Sequence, residues 1–239
     1  MNIAVIFAGG TGQRMNSVSL PKQFLIVHGK PILVHTVSKF QECDQIDKIV
    51  IVSLKDYIDY VYDLAKKFDL SKVVSVVAGG TTGQESIYNG LVEAKKYATS
   101  NKDIVLVHDG VRPIIDSETI INNINCVKEN GNSITIAKSQ ETVLIIENDN
   151  VQAVEDRSKC FMGRAPQCFY LDDLYNAHLE AKKVNKNDFI DSAMLMKHFG
   201  HTLHTVLGPS NNIKVTTPLD YFMFKAMLDA KESEQIKVV

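Results

Sequence analysis

The sequence predicts an α/β fold with a largely parallel sheet, and three observations carry that reading. Continuous apolar runs alternate with stretches of helical spacing. The run from Lys48 to Leu54 is apolar without alternation, as in a strand covered on both faces. Three strand ends carry distinctive chemistry, Ala8-Gly9-Gly10, Ala78-Gly79-Gly80 and His108-Asp109, at the edge where ligands bind on such sheets.

In chain order, Ile3-Ala4-Val5-Ile6-Phe7-Ala8 is the first strand, and it breaks into Gly9-Gly10-Thr11-Gly12. Gly29-Lys30-Pro31 opens a helix to about Phe40, with Pro31 suited to the first turn. After the strand Lys48–Leu54, Tyr57, Ile58, Val61, Leu64, Ala65 and Phe68 recur at helical spacing. Val73–Ala78 is the third strand. A helix from about Glu85 to Ala98 places Ile87, Leu91 and Ala94 on one face. Ile104–Val107 is a short buried strand, and a helix from about Ser117 to Asn130 ends at Gly131, a suitable C′ residue.

The rhythm changes after Ile134-Thr135-Ile136-Ala137. Glu141–Ile146 and Val151–Val154 flank the turn-rich Glu147-Asn148-Asp149-Asn150, so this stretch reads as a β-hairpin. A projecting hairpin is poorly stable alone. The arm, about 139-158, is therefore expected to pack against a second copy of the chain in a homodimer. Helices are predicted at Leu171–Lys183 and about Asp191–Phe199, with Gly200 ending the latter. Strands at Thr202–Leu207 and Ile213–Val215 and a helix opened by Pro218 complete the chain. No internal repeat is seen in 1-239, and the length suits one large domain or a domain with an appendage.

Composition sets the outer limits. A chain of 239 residues with 45% hydrophobic and 23% charged residues has material for an ordinary globular core. Its formal net charge of −2 argues against a nucleic-acid partner. Cys43, Cys126, Cys160 and Cys168 form no C-x-x-C pair and read as reduced thiols. The first residues lack the pattern of a secretory signal, and no apolar run nears the roughly 20 residues of a membrane helix. The expectation is a cytoplasmic protein with no membrane partner.

The glycines after the first strand let backbone N–H groups approach an anion closely. Gly10-Thr11-Gly12 fails as a dinucleotide fingerprint, because Met15 stands where Gly or Ala is needed and no acid follows at the required spacing. A Walker P-loop is absent. Arg14 and Lys22 are either solvated loop residues or a fork and a point charge on phosphate oxygens. Asp109 is either a turn residue or a Mg²⁺ ligand beside a phosphate site. Arg112 either holds that carboxylate or decorates the turn. Asp191 reads as a helix cap, Asp156-Arg157 as an exposed ion pair, and Lys214 as a strand lysine that must snorkel or find an anion.

Together these residues resemble one family, the cytidylyltransferases that activate sugar-alcohol and methylerythritol phosphates with CTP. The resemblance spans nearly the whole chain. It rests on Ala8-Gly9-Gly10-Thr11-Gly12-Gln13-Arg14-Met15 with Pro21-Lys22-Gln23, on Gly79-Gly80 with Glu85-Ser86-Ile87-Tyr88-Asn89-Gly90-Leu91, and on His108-Asp109-Gly110-Val111-Arg112-Pro113. Asp156-Arg157, Ala165-Pro166-Gln167, Asp191 and Asn212-Ile213-Lys214-Val215-Thr216 are similar to the family's acceptor half.

The resemblance implies a single nucleotidyltransferase domain with a Rossmann-like mixed, mostly parallel sheet and a hairpin dimerisation arm that completes the partner's site. It implies CTP held by Phe7, Ala8, Gly9, Gly10, Thr11 and Gly12 and by Gly80, Thr81, Thr82, Gly83, Gln84, Glu85 and Ser86. Arg14 and Lys22 would stabilise charge at the α-phosphate, and Asp109 would bind Mg²⁺. Arg157 from the other subunit and Lys214 would orient the acceptor phosphate, with Arg112 and Asp191 on the substrate side.

Departures from the methylerythritol branch narrow the acceptor. Thr81-Thr82-Gly83-Gln84 lacks its basic residue, Glu141-Thr142-Val143-Leu144 lacks its arm lysine, and Ala165 and Ile190 stand where it has threonines. The chain thus resembles more closely the branch that makes CDP-ribitol from D-ribitol 5-phosphate for teichoic acids or capsules. 2-C-Methyl-D-erythritol 4-phosphate is the alternative acceptor, and a CTP-binding module without turnover is a third reading.

Overall fold

A computed structural model describes residues 1–10 and 20–232. Its first half runs β1 (Asn2–Ala8), a short β2–β3 pair (Ile26–Val27 and Lys30–Pro31), α1 (Ile32–Gln41), β4 (Lys48–Ser53), α2 (Ile58–Lys67), β5 (Val73–Ala78) and α3 (Gly83–Lys95). There follow β6 (Ile104–Asp109), α4 (Ser117–Asn130), β7 (Asn132–Lys138), β8 (Leu144–Glu147), β9 (Asn150–Val154) and β10 (Phe161–Tyr170). The chain closes with α5 (Leu171–Lys183), α6 (Ser192–His198), β11 (Thr205–Leu207) and α7 (Pro218–Glu232).

Seven strands form one mixed sheet in the order β11-β7-β10-β6-β1-β4-β5. β5, β4, β1 and β6 are parallel neighbours, β11 is parallel to β7, and β10 runs antiparallel between β6 and β7. Register positions the site. Ala8 lies opposite Ser53, which lies opposite Ala78, while Phe7 lies opposite Asp109. The carboxyl ends of β1, β5 and β6 therefore open on one rim.

Alternation along β1 sends Ala4, Ile6 and Ala8 into one apolar layer and Ile3 and Val5 into the other. Each face is covered by helices, which explains the continuous apolar strands. Gly90 lets α3 lie close on the sheet, because a Cβ there would stand 2.5 Å from Val5 Cγ1. A third cluster, with Val111, Val215 and Phe224, ties the C-terminal segment to the loop after β6. Among the described residues, no helix is long and apolar enough to cross a membrane.

Side-chain caps set several helix ends. Thr82 accepts from Glu85 N at the start of α3, and Asp116 accepts from Thr119 N at the start of α4. Gly131, at φ +87°, closes α4 as the sequence implied.

The arm is a real hairpin. Leu144–Glu147 pairs antiparallel with Asn150–Val154, across Asn148 and Asp149 at φ +49° and +60°. Two consecutive left-handed residues make the primed turn that suits a twisted hairpin. Its apolar side chains remain open in the single chain, Ile146 at 55% and Val154 at 65% exposure.

Two expectations are corrected, and one strand is added. Ile213–Val215 is not a sheet strand; it pairs with no strand, and Val215 N donates to Val111 O in the loop after β6 at 2.9 Å. The strand at Thr202–Leu207 shrinks to Thr205–Leu207. β10 went unpredicted, since Gly163 and Pro166 argue against a central strand. A register shift between Gly163 and Gln167 accommodates both.

Candidate functional site

On the rim where β1, β5 and β6 end lies a cleft of about 610 Å³. Phe7–Gly10 and Gly80–Gly83 border it on the strand ends, and Lys22, Ser86, Asp109, Lys214 and Thr216 reach it from other elements. Thr11, Gly12 and Arg14, three of the predicted site residues, lie outside the described residues.

Lys22 opens a short 3-10 turn, Lys22–Phe24, and is nearly buried. Phe24 anchors that turn, fully buried and stacked on Tyr57 at 4.8 Å between ring centroids. Gln23 does more than its position in the motif suggested. Its Nε2 donates to Ala8 O at 2.7 Å and to Gly10 O at 3.1 Å. One buried amide thus fastens the lysine turn to the glycine rim. The sequence clue was its place beside Lys22, but only the fold shows which carbonyls it meets.

The second loop is held by its own helix. Gly80 N donates to Ser86 Oγ at 3.0 Å, and Ser86 Oγ donates to Thr82 O. Thr81 N and Oγ1 both donate to Glu85 Oε2, and these bonds hold the Glu85 carboxyl below its ordinary range. A Cβ on Gly80 would lie 2.2 Å from Glu85 Cγ, so this position needs glycine. The loop runs into the N-terminus of α3, whose dipole favours an anion. Gln84 turns elsewhere: it donates to Lys186 O and accepts from Phe189 N, facing a neighbouring cavity of about 340 Å³.

Asp109 anchors the other wall. Its Oδ1 lies 2.5 Å from Lys214 Nζ, and its Oδ2 accepts from Arg112 Nε at 2.7 Å. Burial opposes its charge, but Lys214 and Arg112 outweigh burial and hold the carboxyl below its usual range. Arg112 also donates to Asn212 O at 3.0 Å, which fastens the Asn212–Thr216 segment to the end of β6. Arg112 therefore holds the carboxylate, one of the two sequence readings. Lys214 is 39% exposed along its side chain and points to the cleft, 6.0 Å from the centre of the Phe7 ring.

The remaining predicted residues fall elsewhere in the single chain. Asp191 accepts from Met194 N as a helix cap and from Gln167 Nε2. Arg157 stands exposed on the arm, away from the cleft lining of its own chain. Asp156 pairs with Lys159 and caps the turn with a bond from Ser158 N, rather than pairing with Arg157 as the sequence suggested.

Among the described residues no three His, Cys, Asp or Glu side chains cluster for a metal. A Mg²⁺ ion held with substrate phosphates needs only one or two carboxylates, so the lone Asp109 fits that use and not a protein cage. The lysine ammonium already on Oδ1 shows that this oxygen accepts a cation. The cleft thus joins backbone N–H groups, lysines and one carboxylate. That set suits transfer between phosphate groups by positioning and charge neutralisation.

Comparison with known proteins gives the same direction. The family described as "IspD: 2-C-methyl-D-erythritol 4-phosphate cytidylyltransferase" matches residues 2–230. A ribitol-5-phosphate cytidylyltransferase of Streptococcus agalactiae serotype III (strain NEM316) is 49% identical over 237 residues, 99% of each chain. A 2-C-methyl-D-erythritol 4-phosphate cytidylyltransferase of Clostridium novyi (strain NT) is 38% identical over 230 residues, 95% of this chain and 96% of that one. The crystal structure of 4-diphosphocytidyl-2C-methyl-D-erythritol synthase from Anaerococcus prevotii DSM 20548 superimposes with a TM-score of 0.80 at 30% identity, covering 95% and 96% of the two chains.

Proposed function

Because this chain belongs to the family of 2-C-methyl-D-erythritol 4-phosphate cytidylyltransferases, we propose that it transfers the cytidylyl group of CTP to D-ribitol 5-phosphate, giving CDP-ribitol and pyrophosphate. One observation carries the choice of acceptor. Over nearly the same length, identity is 49% to a relative named for ribitol 5-phosphate and 38% to one named for methylerythritol phosphate. The missing arm lysine and the alanine at Ala165 agree with that choice.

A phosphate oxygen of the acceptor attacks the α-phosphorus of CTP, and the bond to the bridging oxygen of pyrophosphate breaks. The acceptor is already nucleophilic near neutral pH, since its second pKa is roughly 6. No covalent enzyme intermediate is needed. The backbone of Phe7–Gly10 and Gly80–Gly83 receives the nucleotide, Lys22 and Arg14 neutralise charge gathering on the phosphates, and Lys214 leaves Asp109 to meet the acceptor phosphate. Asp109 is the residue that would hold Mg²⁺, and that ion would supply charge neutralisation for the phosphates during transfer.

The reading includes a homodimer through the arm, whose exposed Leu144, Ile145, Ile146, Val151 and Val154 would be covered by a second copy. That places Arg157 in the partner's acceptor site. The four free cysteines suit the reducing cytoplasm, where CTP is available. The test is pyrophosphate release from CTP and D-ribitol 5-phosphate, with and without Mg²⁺. Release only with all three supports the reading, and no release above background ends it. The family's own acceptor, 2-C-methyl-D-erythritol 4-phosphate, is the second reading.

A further inference from the structure

We infer that Arg164 binds the phosphate group of the acceptor, an inference that rests on the cytidylyl transfer proposed above. Arg164 begins the bulge in β10, where Arg164, Ala165 and Pro166 stand opposite the single residue Thr135 of β7. Bulges re-aim side chains beside active sites. The rest of this one is clamped: Thr135 Oγ1 donates to Pro166 O at 2.7 Å, and Asn212 Nδ2 donates to Ala165 O at 2.9 Å. Asn212 O in turn receives Arg112 Nη1, and Arg112 holds Asp109. A short chain of bonds thus connects the Arg164 bulge to the acceptor side of the cleft rather than to the nucleotide loops.

The guanidinium is poorly satisfied where it stands. Arg164 is half-buried, its Nε is sealed from water without a hydrogen-bond partner, and no carboxylate pairs with it among the described residues. Burial and the like charge of Arg112 both work against its protonated form. An unpaired, partly buried cation is costly to keep. Arg112, Lys214 and Arg164 set three positive charges against the one carboxylate of Asp109, an excess that matches the charge of about −2 on a phosphate monoester. The planar fork of Arg164 suits two phosphate oxygens at once, which a lysine cannot reproduce.

The experiment uses the full-length enzyme and two variants, Arg164→Leu and Arg164→Lys, with D-ribitol 5-phosphate and CTP varied separately. Inorganic phosphate is added as a competitor of the acceptor, and melting temperature is recorded. Arg164→Leu should raise KM for the acceptor and Ki for inorganic phosphate about ten- to hundredfold. KM for CTP should stay within about twofold, because the proposed contact is with the acceptor phosphate and none is proposed with the nucleotide. Arg164→Lys should recover part of the loss. The melting temperature of Arg164→Leu should hold or rise, as when a strained functional charge is removed. An unchanged acceptor KM in an active Arg164→Leu enzyme overturns the inference, and so does a parallel loss of both affinities with a lower melting temperature. Absence of turnover in the wild-type enzyme would instead overturn the proposed reaction. In that case calorimetric titration of inorganic phosphate into wild type and Arg164→Leu still decides the role of Arg164, with equal affinities overturning it.

Discussion

Lys214 Nζ lies 2.5 Å from Asp109 Oδ1, so a lysine some hundred residues downstream closes on the last residue of β6. This contact explains how a cleft made of strand ends acquires a charged far wall. Together with Arg112 it holds the buried carboxyl below its usual range. Replacing Asp109 by Asn should cut kcat by on the order of 10² or more, the usual size for losing a charge-stabilising group. Steady-state kinetics over a Mg²⁺ titration checks this, and a variant with the wild-type Mg²⁺ requirement and rate would exclude Asp109 as the metal ligand.

Lys22→Ala should lower kcat by on the order of 10² to 10³. If kcat stays within about threefold and only KM rises, the lysine binds ground state and transition state alike. Gln23→Ala offers a contrast, since it leaves Ala8 O and Gly10 O without their buried donor. It should cost about 1–3 kcal/mol in urea unfolding and weaken CTP binding, without the large kcat defect of Lys22→Ala.

Much of this architecture is legible in the chain. The bounds of β5, α4 and α5 follow from apolar spacing and from Gly131, because local periodicity and caps set those ends. β10 was not legible, because Gly163 and Pro166 signal a break that the antiparallel pairing tolerates through a bulge. The role of Gln23 was equally hidden, because it depends on which carbonyls the fold brings within reach, whereas the grip of Arg112 on Asp109 was one of two readings that the sequence offered. Arg164 had no signal in the sequence at all; its lack of a partner is a property of the packed chain.

The arm predicts a concentration-dependent defect. Ile146→Asp places a charge in the exposed apolar face of β8 and should shift the sedimentation profile from dimer to monomer with a large loss of activity. Mixing inactive Lys22→Ala chains with inactive Arg157→Ala chains should restore part of the activity if Arg157 serves the partner's site. No complementation from a mixed dimer would place Arg157 in its own chain's chemistry.

His178 predicts a pH effect on stability. Its ring is buried, and burial first, then the nearby Lys182, lowers its pKa to about 4. The unfolded chain takes up a proton near pH 6.5 while the folded chain refuses it until about pH 4. Stability should therefore be full above about pH 6.5 and fall through that window by up to roughly 3 kcal/mol. Urea unfolding across pH should show this slope, and His178→Phe should remove its share, leaving the part due to His108, whose burial likewise lowers its pKa to about 4. A slope that is the same in wild type and His178→Phe would mean that the His178 ring is solvated.

The central claim is tested most directly by kcat/KM for D-ribitol 5-phosphate and 2-C-methyl-D-erythritol 4-phosphate, measured side by side at saturating CTP. The account predicts that ribitol 5-phosphate is favoured by at least about tenfold, the effect of roughly 1.4 kcal/mol in the transition state. Equal values, or a preference for methylerythritol phosphate, would contradict it.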